Sequence, residues 1–402
     1  MESLSLLFVV GSAILLALLG GKAVTRFRIP MVTGYVIMGV ILGKSFLNIL
    51  KPEIVGRLSV FNDLALGIIA FLIGGEFYLP RIKKLGKSIG WIAICESFFA
   101  FLLVSFIVFI LTHKLYISLI LGAVSSATAP AATVAVINQY RARGPLTTTI
   151  LGVVGSDDAI ALMIYSFAST LARAFLLHTH ISWLTIIWKP SREIIFSLIL
   201  GGFLGFVLGN LLHRIRARNE AFTLGVGFLL LAEGLSIQWD LSELLTVMSM
   251  SMVAVNLSPP RRFGQVMEGL NLAGFPIIAA FFCLAGTKLD IHLLPKIGIL
   301  GILYTIFRMM GKMGGASLGA IIAGAPGVIR KWMGVSLFPQ IGVAIALAVV
   351  VDKEFTPLGS EGVQLANLVI NILLFTTVIT EVVGPFLTKK ALEKAGEIGV
   401  IK

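Results

Sequence analysis

The chain has 402 residues, of which 57% are hydrophobic and 13% charged, with a mean hydropathy of +0.99 and a formal net charge of +12. Soluble globular domains carry about 25% charged residues, so this composition excludes an ordinary soluble domain and predicts an integral membrane protein. The basic residues lie in short loops between apolar runs. This distribution indicates that the positive charge faces the lipid bilayer and argues against nucleic acid as a partner.

Apolar runs of about 20 residues can cross the hydrocarbon core as helices. They predict an all-α membrane protein with 13 transmembrane helices, at 4–21, 30–46, 62–79, 89–111, 116–138, 146–172, 193–212, 221–238, 242–257, 271–287, 297–323, 332–351 and 363–387. With the N-terminus outside, every inside loop carries at least two Lys or Arg residues. The positive-inside rule therefore predicts an N-out, C-in topology. The longest predicted loop is 173–192.

Proline interrupts the fifth and the twelfth predicted spans. Pro130 follows Ala129 in one, and Gln340 follows Pro339 in the other. Because proline removes a backbone donor and restricts the residue before it, both spans are predicted to be broken helices. Such backbone is tolerated at membrane depth only where it is buried in protein or lines a cavity.

The sequence also predicts an internal repeat. Phe71–Gly75 resembles Phe282–Gly286 at an offset of 211 residues, and Pro130 and Pro339 are 209 residues apart. The offsets predict two six-helix units, spans 1–6 and 8–13. Seven spans separate corresponding helices, so the repeats must be inverted, and the broken helices 5 and 12 are expected to cross near the membrane midplane.

Two adjacent aspartates, Asp157 and Asp158, lie inside the sixth predicted span. A charge at that depth costs about 2.5–3.5 kcal/mol on insertion scales, which makes a proton- or cation-binding site the default interpretation. Lys312 in span 11 is predicted at the same depth as Asp157. Consecutive helical residues point about 100° apart, so one of the two aspartates is expected to pair with Lys312 while the other faces a cavity.

Other charged residues also lie within predicted spans, and three of them are candidates for pairing. Arg308 is one helical turn before Lys312, and Glu96 and Glu381 are intramembrane acids. We expect structural pairing for these charges, with the partners left open. The two cysteines, Cys95 and Cys283, lie in apolar stretches and predict neither a disulfide framework nor a zinc site.

Seven motifs occur in chain order, with the fourth leading into Asp157-Asp158. They are Pro30–Gly43, Phe71–Glu76, Thr128–Pro130, Gly144–Leu146, Arg308–Lys312, Pro339–Ala344 and Thr380–Pro385. Together they resemble the monovalent cation–proton antiporter superfamily, specifically the bacterial sodium/proton antiporters with an Asp-Asp motif.

The resemblance implies a multi-pass antiporter of the cell (inner) membrane, usually a homodimer, that is not an enzyme and needs no cofactor besides the transported Na⁺ or Li⁺ and H⁺. Helices 1–3 and 8–10 would form a dimer scaffold, and helices 4–6 and 11–13 a core that moves like an elevator. The corresponding boundaries are 1–87 and 221–292 for the scaffold, 88–172 and 293–390 for the core, 173–220 for a linker loop with helix 7, and 391–402 for a cytoplasmic tail.

The resemblance also implies roles for residues of the site. Asp158 would be the main cation and proton carrier, Asp157 would pair with Lys312 in the cation-free state, and Thr128 would help to coordinate Na⁺. The Asp-Asp pair implies electrogenic exchange, with two protons per sodium. Ala129 stands where some relatives carry an acidic residue, so the coordination shell is expected either to be weaker or to rely on main-chain carbonyls.

Four alternatives differ in what they require. A potassium/proton antiporter would share the motifs, and the sequence does not rank sodium, lithium and potassium. A sodium-coupled organic solute symporter of related fold would not need Lys312 against an Asp-Asp pair. An intramembrane aspartyl protease needs two aspartates from different helices, which adjacent residues do not provide. A channel would need a filter-like loop or a ring of charges, and the sequence shows neither.

Overall fold

The structure, a computed structural model, describes residues 6–26, 31–43, 45–47, 49–50, 58–80, 86–177, 183–289 and 294–398. Within these ranges the chain is helical and has no strand. The first helices are α1 (Leu6–Thr25), α2 (Met31–Leu42), α3 (Ser59–Gly75), α4 (Lys87–Thr112), α5a (Leu115–Ser125), α5b (Pro130–Gln139) and α6 (Pro145–Leu176). The others are α7 (Trp183–Arg214), α8 (Arg218–Gln238), α9 (Glu243–Leu257), α10 (Pro260–Gly286), α11 (Leu294–Ile322), α12a (Gly327–Trp332), α12b (Gly342–Phe355) and α13 (Ser360–Lys394).

Each predicted span overlaps one of these helices or, for the fifth and twelfth, a pair of them. In the described ranges, α1, α4, α6, α7, α8 and α10 are each long and apolar enough to cross a membrane. The number of such spans rises from 6 to as many as 8 if two bent pairs, in α12 and α13, each count as one. The all-helical membrane class is therefore confirmed.

The predicted loop 173–192 is wrong in its extent. Helix α6 continues to Leu176, and α7 begins at Trp183. Helical hydrogen bonding here extends beyond the apolar run that fits the hydrocarbon core, and hydropathy reports only that run. Residues 178–182 of this loop lie outside the described residues, as do Pro30 of the first motif and residues 399–402 of the predicted tail.

The chain forms two compact units. One comprises Met1–Pro52, Leu85–His180 and Phe282–Lys402, and the other Glu53–Lys84 and Ile181–Phe281. The first unit contains α1, α2, α4–α6 and α11–α13, including every predicted site residue. In the second unit α9 packs against α3 and α7. Packing thus groups α1 and α2 with the helices that carry the predicted site residues, and the division into scaffold and moving core stays a prediction.

Glycines allow α11 to approach α4 closely within the first unit. A Cβ atom at Gly311 would lie 2.6 Å from the Ala100 Cα atom, and one at Gly315 would lie 2.4 Å from the Cys95 carbonyl oxygen. Small residues at helix interfaces bring backbones together in membranes, where no hydrophobic force drives association. This close contact places Glu96 of α4 opposite Lys312 of α11.

An apolar cluster lies at the end of the first unit where α6 begins. It consists of buried side chains from α4, α5b, α6, α11, the α12 region and α13, among them Ile92, Ile150, Val153, Leu337 and Leu392. Because these residues come from both halves of the chain, the cluster joins the start of α6 to the end of α13.

Candidate ion-binding site

The interruptions of α5 and α12 are in direct contact. Helix α5a ends at Ser125 and α5b begins at Pro130, while a 3₁₀ turn ends at Leu337 and α12b begins at Gly342. The Ala129 N–H donates a hydrogen bond to the Pro339 carbonyl oxygen at 2.9 Å. Main-chain groups freed by one interruption therefore satisfy those of the other, as burial at this depth requires.

Gln340 adds a side-chain connection between the interruptions. Its Nε2 donates to the Val124 carbonyl oxygen at 3.0 Å and lies 3.0 Å from the Tyr304 hydroxyl. The main-chain carbonyl oxygen of Gln340 accepts hydrogen bonds from the hydroxyls of Thr377 and Thr380 on α13, at 3.1 and 3.4 Å. Gln340 was predicted only to mark the interruption, and the structure shows that it ties α5a, α11 and α13 together.

Arg308 binds main-chain carbonyls from both interruptions. Its Nε donates to Ser125 O at 3.0 Å, its Nη2 to Ala127 O at 2.7 Å, and its Nη1 to Phe338 O at 2.8 Å. The last carbonyls of a helix have no partner within the helix and carry partial negative charge. The buried guanidinium, whose planar fork suits several acceptors at once, neutralises two such ends.

Lys312, one turn further along α11, is shared by two carboxylates. Its Nζ lies 2.6 Å from a Glu96 oxygen and 3.6 Å from an Asp157 oxygen. It also donates to the Thr128 hydroxyl at 2.8 Å and to the Ser126 carbonyl oxygen. The side chains of Lys312, Glu96 and Asp157 are at most 1% exposed, so the ammonium acts in a low-dielectric interior where pairing is strong.

Asp158 faces differently from Asp157, as the helical period predicts. It is 4% exposed, and its Oδ1 atom has no hydrogen-bond partner in the described part of the chain. A buried ionised oxygen without a donor is costly, so a proton or a cation at this atom would stabilise the site. Neither oxygen of Asp157 has a hydrogen bond of good geometry among the described residues either, but Asp157 lies 3.6 Å from the Lys312 ammonium, and this ion pair distinguishes its surroundings from those of Asp158.

Glu381 lies on the α13 side of the second interruption. It is fully buried and interacts electrostatically with Arg308 and with the Gln340 main chain. Neither of its carboxyl oxygens has a hydrogen bond of good geometry among the described residues. Of the three charges expected to pair structurally, Arg308 donates its hydrogen bonds to main-chain carbonyl oxygens, and Glu96 forms an ion pair with Lys312.

The structure therefore brings Asp157, Lys312 and Thr128 together and adds Glu96 as the closest counter-ion of Lys312. Sequence reasoning left the partner of Glu96 open, although the signal was available. Glu96 is 9 residues from the start of α4, and Lys312 is 10 residues from the end of α11. At about 1.5 Å per residue, these positions share one depth if the two ends are on the same side.

The oxygens of the site suit a transported cation better than a resident transition metal. Carboxylate, hydroxyl and carbonyl oxygens are hard ligands, which favour ions such as sodium. Among the residues that the structure describes, no group of three or more His, Cys, Asp or Glu side chains is arranged to hold a metal.

Comparison with known proteins identifies the family. The family model described as sodium/hydrogen exchanger, transmembrane, matches residues 12–394. The chain belongs to the sodium/hydrogen exchanger family. This membership confirms the predicted monovalent cation–proton antiporter superfamily and indicates a transporter rather than an enzyme.

Two relatives of this exchanger are 23% identical to it. The ammonium/H⁺ antiporter subunit AmhT of Alkalihalophilus pseudofirmus aligns over 371 residues, 92% of each chain. The Na⁺/H⁺ antiporter of Enterococcus hirae aligns over 394 residues, 92% of this chain and 95% of that protein. Both alignments are nearly full-length.

The fold of the exchanger is similar to that of a solved antiporter. The sodium proton antiporter MjNhaP1 of Methanocaldococcus jannaschii superposes with a TM-score of 0.81 at 17% identity, covering 96% of this chain and 98% of that one. An electron-microscopy structure of the same antiporter gives a TM-score of 0.76, with 98% of both chains covered. At this level of identity, the likeness shows a shared fold.

Proposed function

We propose that this exchanger is a secondary active sodium/proton antiporter in which sodium and protons compete for Asp157 and Asp158. The observation that carries the proposal is the buried ammonium of Lys312 beside Asp157, next to an Asp158 oxygen that lacks a donor. An arriving cation can satisfy that oxygen and replace Lys312 at Asp157. The Thr128 hydroxyl, which accepts from Lys312 here, would be released to the cation at the same time.

Exchange follows from the cost of moving charge through the hydrocarbon region. A site whose carboxylates are neither protonated nor paired is expensive to transfer, so only the proton-loaded or the cation-loaded site crosses readily. The Asp-Asp pair supports electrogenic exchange, two protons per cation, in which Asp158 loses one proton and the Lys312 ammonium loses the second when the cation displaces it from Asp157. Electrogenic exchange would respond to an imposed membrane potential.

Alternating access is proposed to occur by an elevator movement of a core, residues 88–172 and 293–390, against a scaffold, residues 1–87 and 221–292. Similarity to antiporters supports this movement. The same similarity supports the other parts of the proposal, which are thirteen spans, an N-out, C-in orientation, inverted repeats, a homodimer and a cell-membrane location. Corresponding interruptions at 126–129 and 338–341 support the repeats.

Ammonium and potassium are the rival cations. AmhT, a relative of 23% identity, is named an ammonium/H⁺ antiporter subunit. A site built from carboxylates and a hydroxyl can hold any small monovalent cation, since hard oxygen ligands set the charge preference and cavity size sets the choice among ions.

Proteoliposomes containing the purified protein and a pH-sensitive dye test the proposal. Addition of sodium or lithium is expected to move protons in the wild type and not in Asp158→Asn. Proton movement in response to potassium alone would show that potassium, and not sodium, is the exchanged cation. Inhibition of radioactive sodium uptake by ammonium would show that ammonium binds the same site. Sodium-driven proton movement that survives in Asp158→Asn would refute the assigned carrier.

A further inference from the structure

The first turn of α6, the helix that carries Asp157 and Asp158, has no cap within its own sequence. Gly144 occupies the N-cap position and has no side chain to accept hydrogen bonds, and Pro145 follows it. The first amides of a helix have no partner within the helix. Pro145 has no N–H, and the Thr148 N–H donates to Gly144 O at 3.0 Å. The amides of Leu146 and Thr147 therefore need an external acceptor.

Glu397, from the other end of the chain, accepts from both amides. The Leu146 N–H donates to one carboxylate oxygen at 2.7 Å and the Thr147 N–H to the other, also at 2.7 Å. The Thr147 hydroxyl adds a third hydrogen bond at 2.6 Å. A carboxylate at this position is favoured by the positive end of the helix dipole, and hydrogen bonds to a charged acceptor are the strong ones.

The surrounding backbone is shaped to admit this carboxylate. The Arg143 N–H donates to the Glu397 carbonyl oxygen at 3.1 Å. A Cβ atom at Gly144 would lie 2.3 Å from the Glu397 Cδ atom, so the approach requires glycine there. Glu397 is only 5% exposed, and Ile398 packs against the apolar cluster that contains Leu146.

The end of α13 directs Glu397 toward α6. Gly396 adopts a left-handed conformation with φ of 70°, its N–H donates to Glu393 O, and the Glu397 N–H donates to Leu392 O, both at 3.0 Å. This is the Schellman pattern, which ends a helix and turns the chain sharply. The turn sets the carboxylate over the first turn of α6.

We propose that Glu397 is a positioning residue for the exchange: by capping α6 from the end of α13, it fixes the helix that carries the two aspartates. The inference rests on the proposed function for its transport consequence. Asp157 lies 12 residues beyond Pro145 in one continuous helix, about 18 Å along its axis. Loss of the cap, by letting α6 shift as a rigid helix, would therefore alter where both aspartates stand relative to Lys312, which belongs to another helix.

The test uses the full-length protein and the variants Glu397→Gln and Glu393→Gln. The control, Glu393, lies four residues earlier, is 49% exposed at its side chain and pairs only with Lys389 among the described ion pairs. Hydrogen–deuterium exchange is expected to show faster amide exchange in residues 146–158 in Glu397→Gln and no change in Glu393→Gln. Equal amide-exchange rates in residues 146–158 in both variants and the wild type would contradict the proposal that Glu397 caps α6.

Transport kinetics test the positioning role separately. In proteoliposomes, Glu397→Gln is expected to raise the half-saturating sodium concentration at least threefold, with a smaller change in maximal rate. A lower melting temperature with unchanged half-saturating sodium would reduce Glu397 to a structural residue. A double-mutant cycle with Thr147→Val is expected to be non-additive, because both substitutions alter the hydrogen bond between the Thr147 hydroxyl and Glu397. Full additivity would contradict the capping geometry.

Wild-type vesicles without any cation-driven proton movement would refute the proposed function, and with it the transport role of Glu397. The cap itself would still be decided by the amide-exchange measurement. The two failures are therefore distinguishable.

Discussion

Lys312 lies closer to Glu96 than to Asp157, with Nζ–oxygen distances of 2.6 and 3.6 Å. One buried ammonium thus serves two carboxylates, on α4 and α6. Glu96 is further held by the Ser97 hydroxyl, which donates to its other oxygen at 2.8 Å. The strength of the Lys312–Asp157 pair consequently depends on the Glu96 carboxylate, which competes for the same ammonium.

Glu96→Gln is expected to weaken sodium binding. The substitution removes a negative charge from the site and leaves Lys312 with Asp157 as its sole charged partner in the described structure, so sodium must displace a stronger pair. We expect the half-saturating sodium concentration to rise about fivefold or more, equivalent to about 1 kcal/mol. The half-saturating concentration is measured by titrating sodium in proteoliposomes and recording the rate of proton exchange.

Ser97→Ala is the matched control, since it removes the hydrogen bond to Glu96 and keeps the charge. Its half-saturating sodium is expected to stay within about twofold of the wild type, less than 0.5 kcal/mol. An equal effect of both substitutions would show that the charge of Glu96 is irrelevant.

Arg308→Lys is expected to destabilise the protein strongly. A lysine ammonium cannot reproduce the planar fork that binds Ser125 O, Ala127 O and Phe338 O together. Hydrogen bonds to charged groups contribute about 1.5–3 kcal/mol each, so the loss of two predicts about 3 kcal/mol or more. Thermal unfolding in detergent, followed by intrinsic fluorescence, reports the difference.

Arg330→Lys provides the comparison, because Arg330 is exposed and its Nε binds one carbonyl, that of Ala325. We expect a change of less than about 1 kcal/mol there. Similar melting temperatures for the two variants would argue that Arg308 does not hold the interruptions together.

Gly315→Ala and Gly314→Ala are expected to act in opposite directions. A Cβ at Gly315 would meet the Cys95 carbonyl at 2.4 Å and the Glu96 Cα at 2.6 Å, whereas one at Gly314 meets nothing within 4 Å. Alanine favours a helix interior over glycine by about 1 kcal/mol, so Gly314→Ala should be neutral or stabilising. Gly315→Ala should lower the melting temperature by pushing α4 from α11. The same sign of change in both variants would contradict this packing.

Acidic pH is expected to raise the half-saturating sodium concentration. Sodium binds the ionised carboxylates, so its binding releases protons and weakens as protons become more abundant. On the acidic side of the titration, competition with one proton raises the half-saturating sodium concentration by up to about tenfold for each pH unit of acidification. Competition with two protons gives a steeper rise. Initial rates at equal pH on both sides of the vesicle membrane provide the slope. A half-saturating concentration independent of pH would exclude competition.

Sequence reasoning located the two interruptions because proline has a local effect that requires no knowledge of neighbouring helices. It also placed Lys312 beside Asp157, since depth in a membrane can be counted from helix ends. The same count could have suggested Glu96, which is 9 residues from the start of α4, since Lys312 is 10 residues from the end of α11.

Two features could not be predicted in this way. The hydrogen bonds of Arg308 depend on how the interruptions cross, and that geometry arises from close packing rather than from any motif. The cap on α6 joins residues about 250 positions apart, Leu146 and Glu397, and Gly144 signals only that a local cap is missing. Contacts between distant segments carry no periodicity that a sequence displays.

The crossing of the two interruptions has a consequence for biosynthesis. Lys312 follows Asp158 by 154 residues, so the ribosome completes the aspartate-bearing helix long before its cationic partner, Arg308 or Glu397 exists. Until α11 inserts, the N-terminal half must hold Asp157, Asp158 and Glu96 in the membrane without their ammonium. Formation of the Lys312 ion pairs therefore has to follow insertion of α11, and a nascent chain halted before residue 312 would leave these three carboxylates without the ammonium.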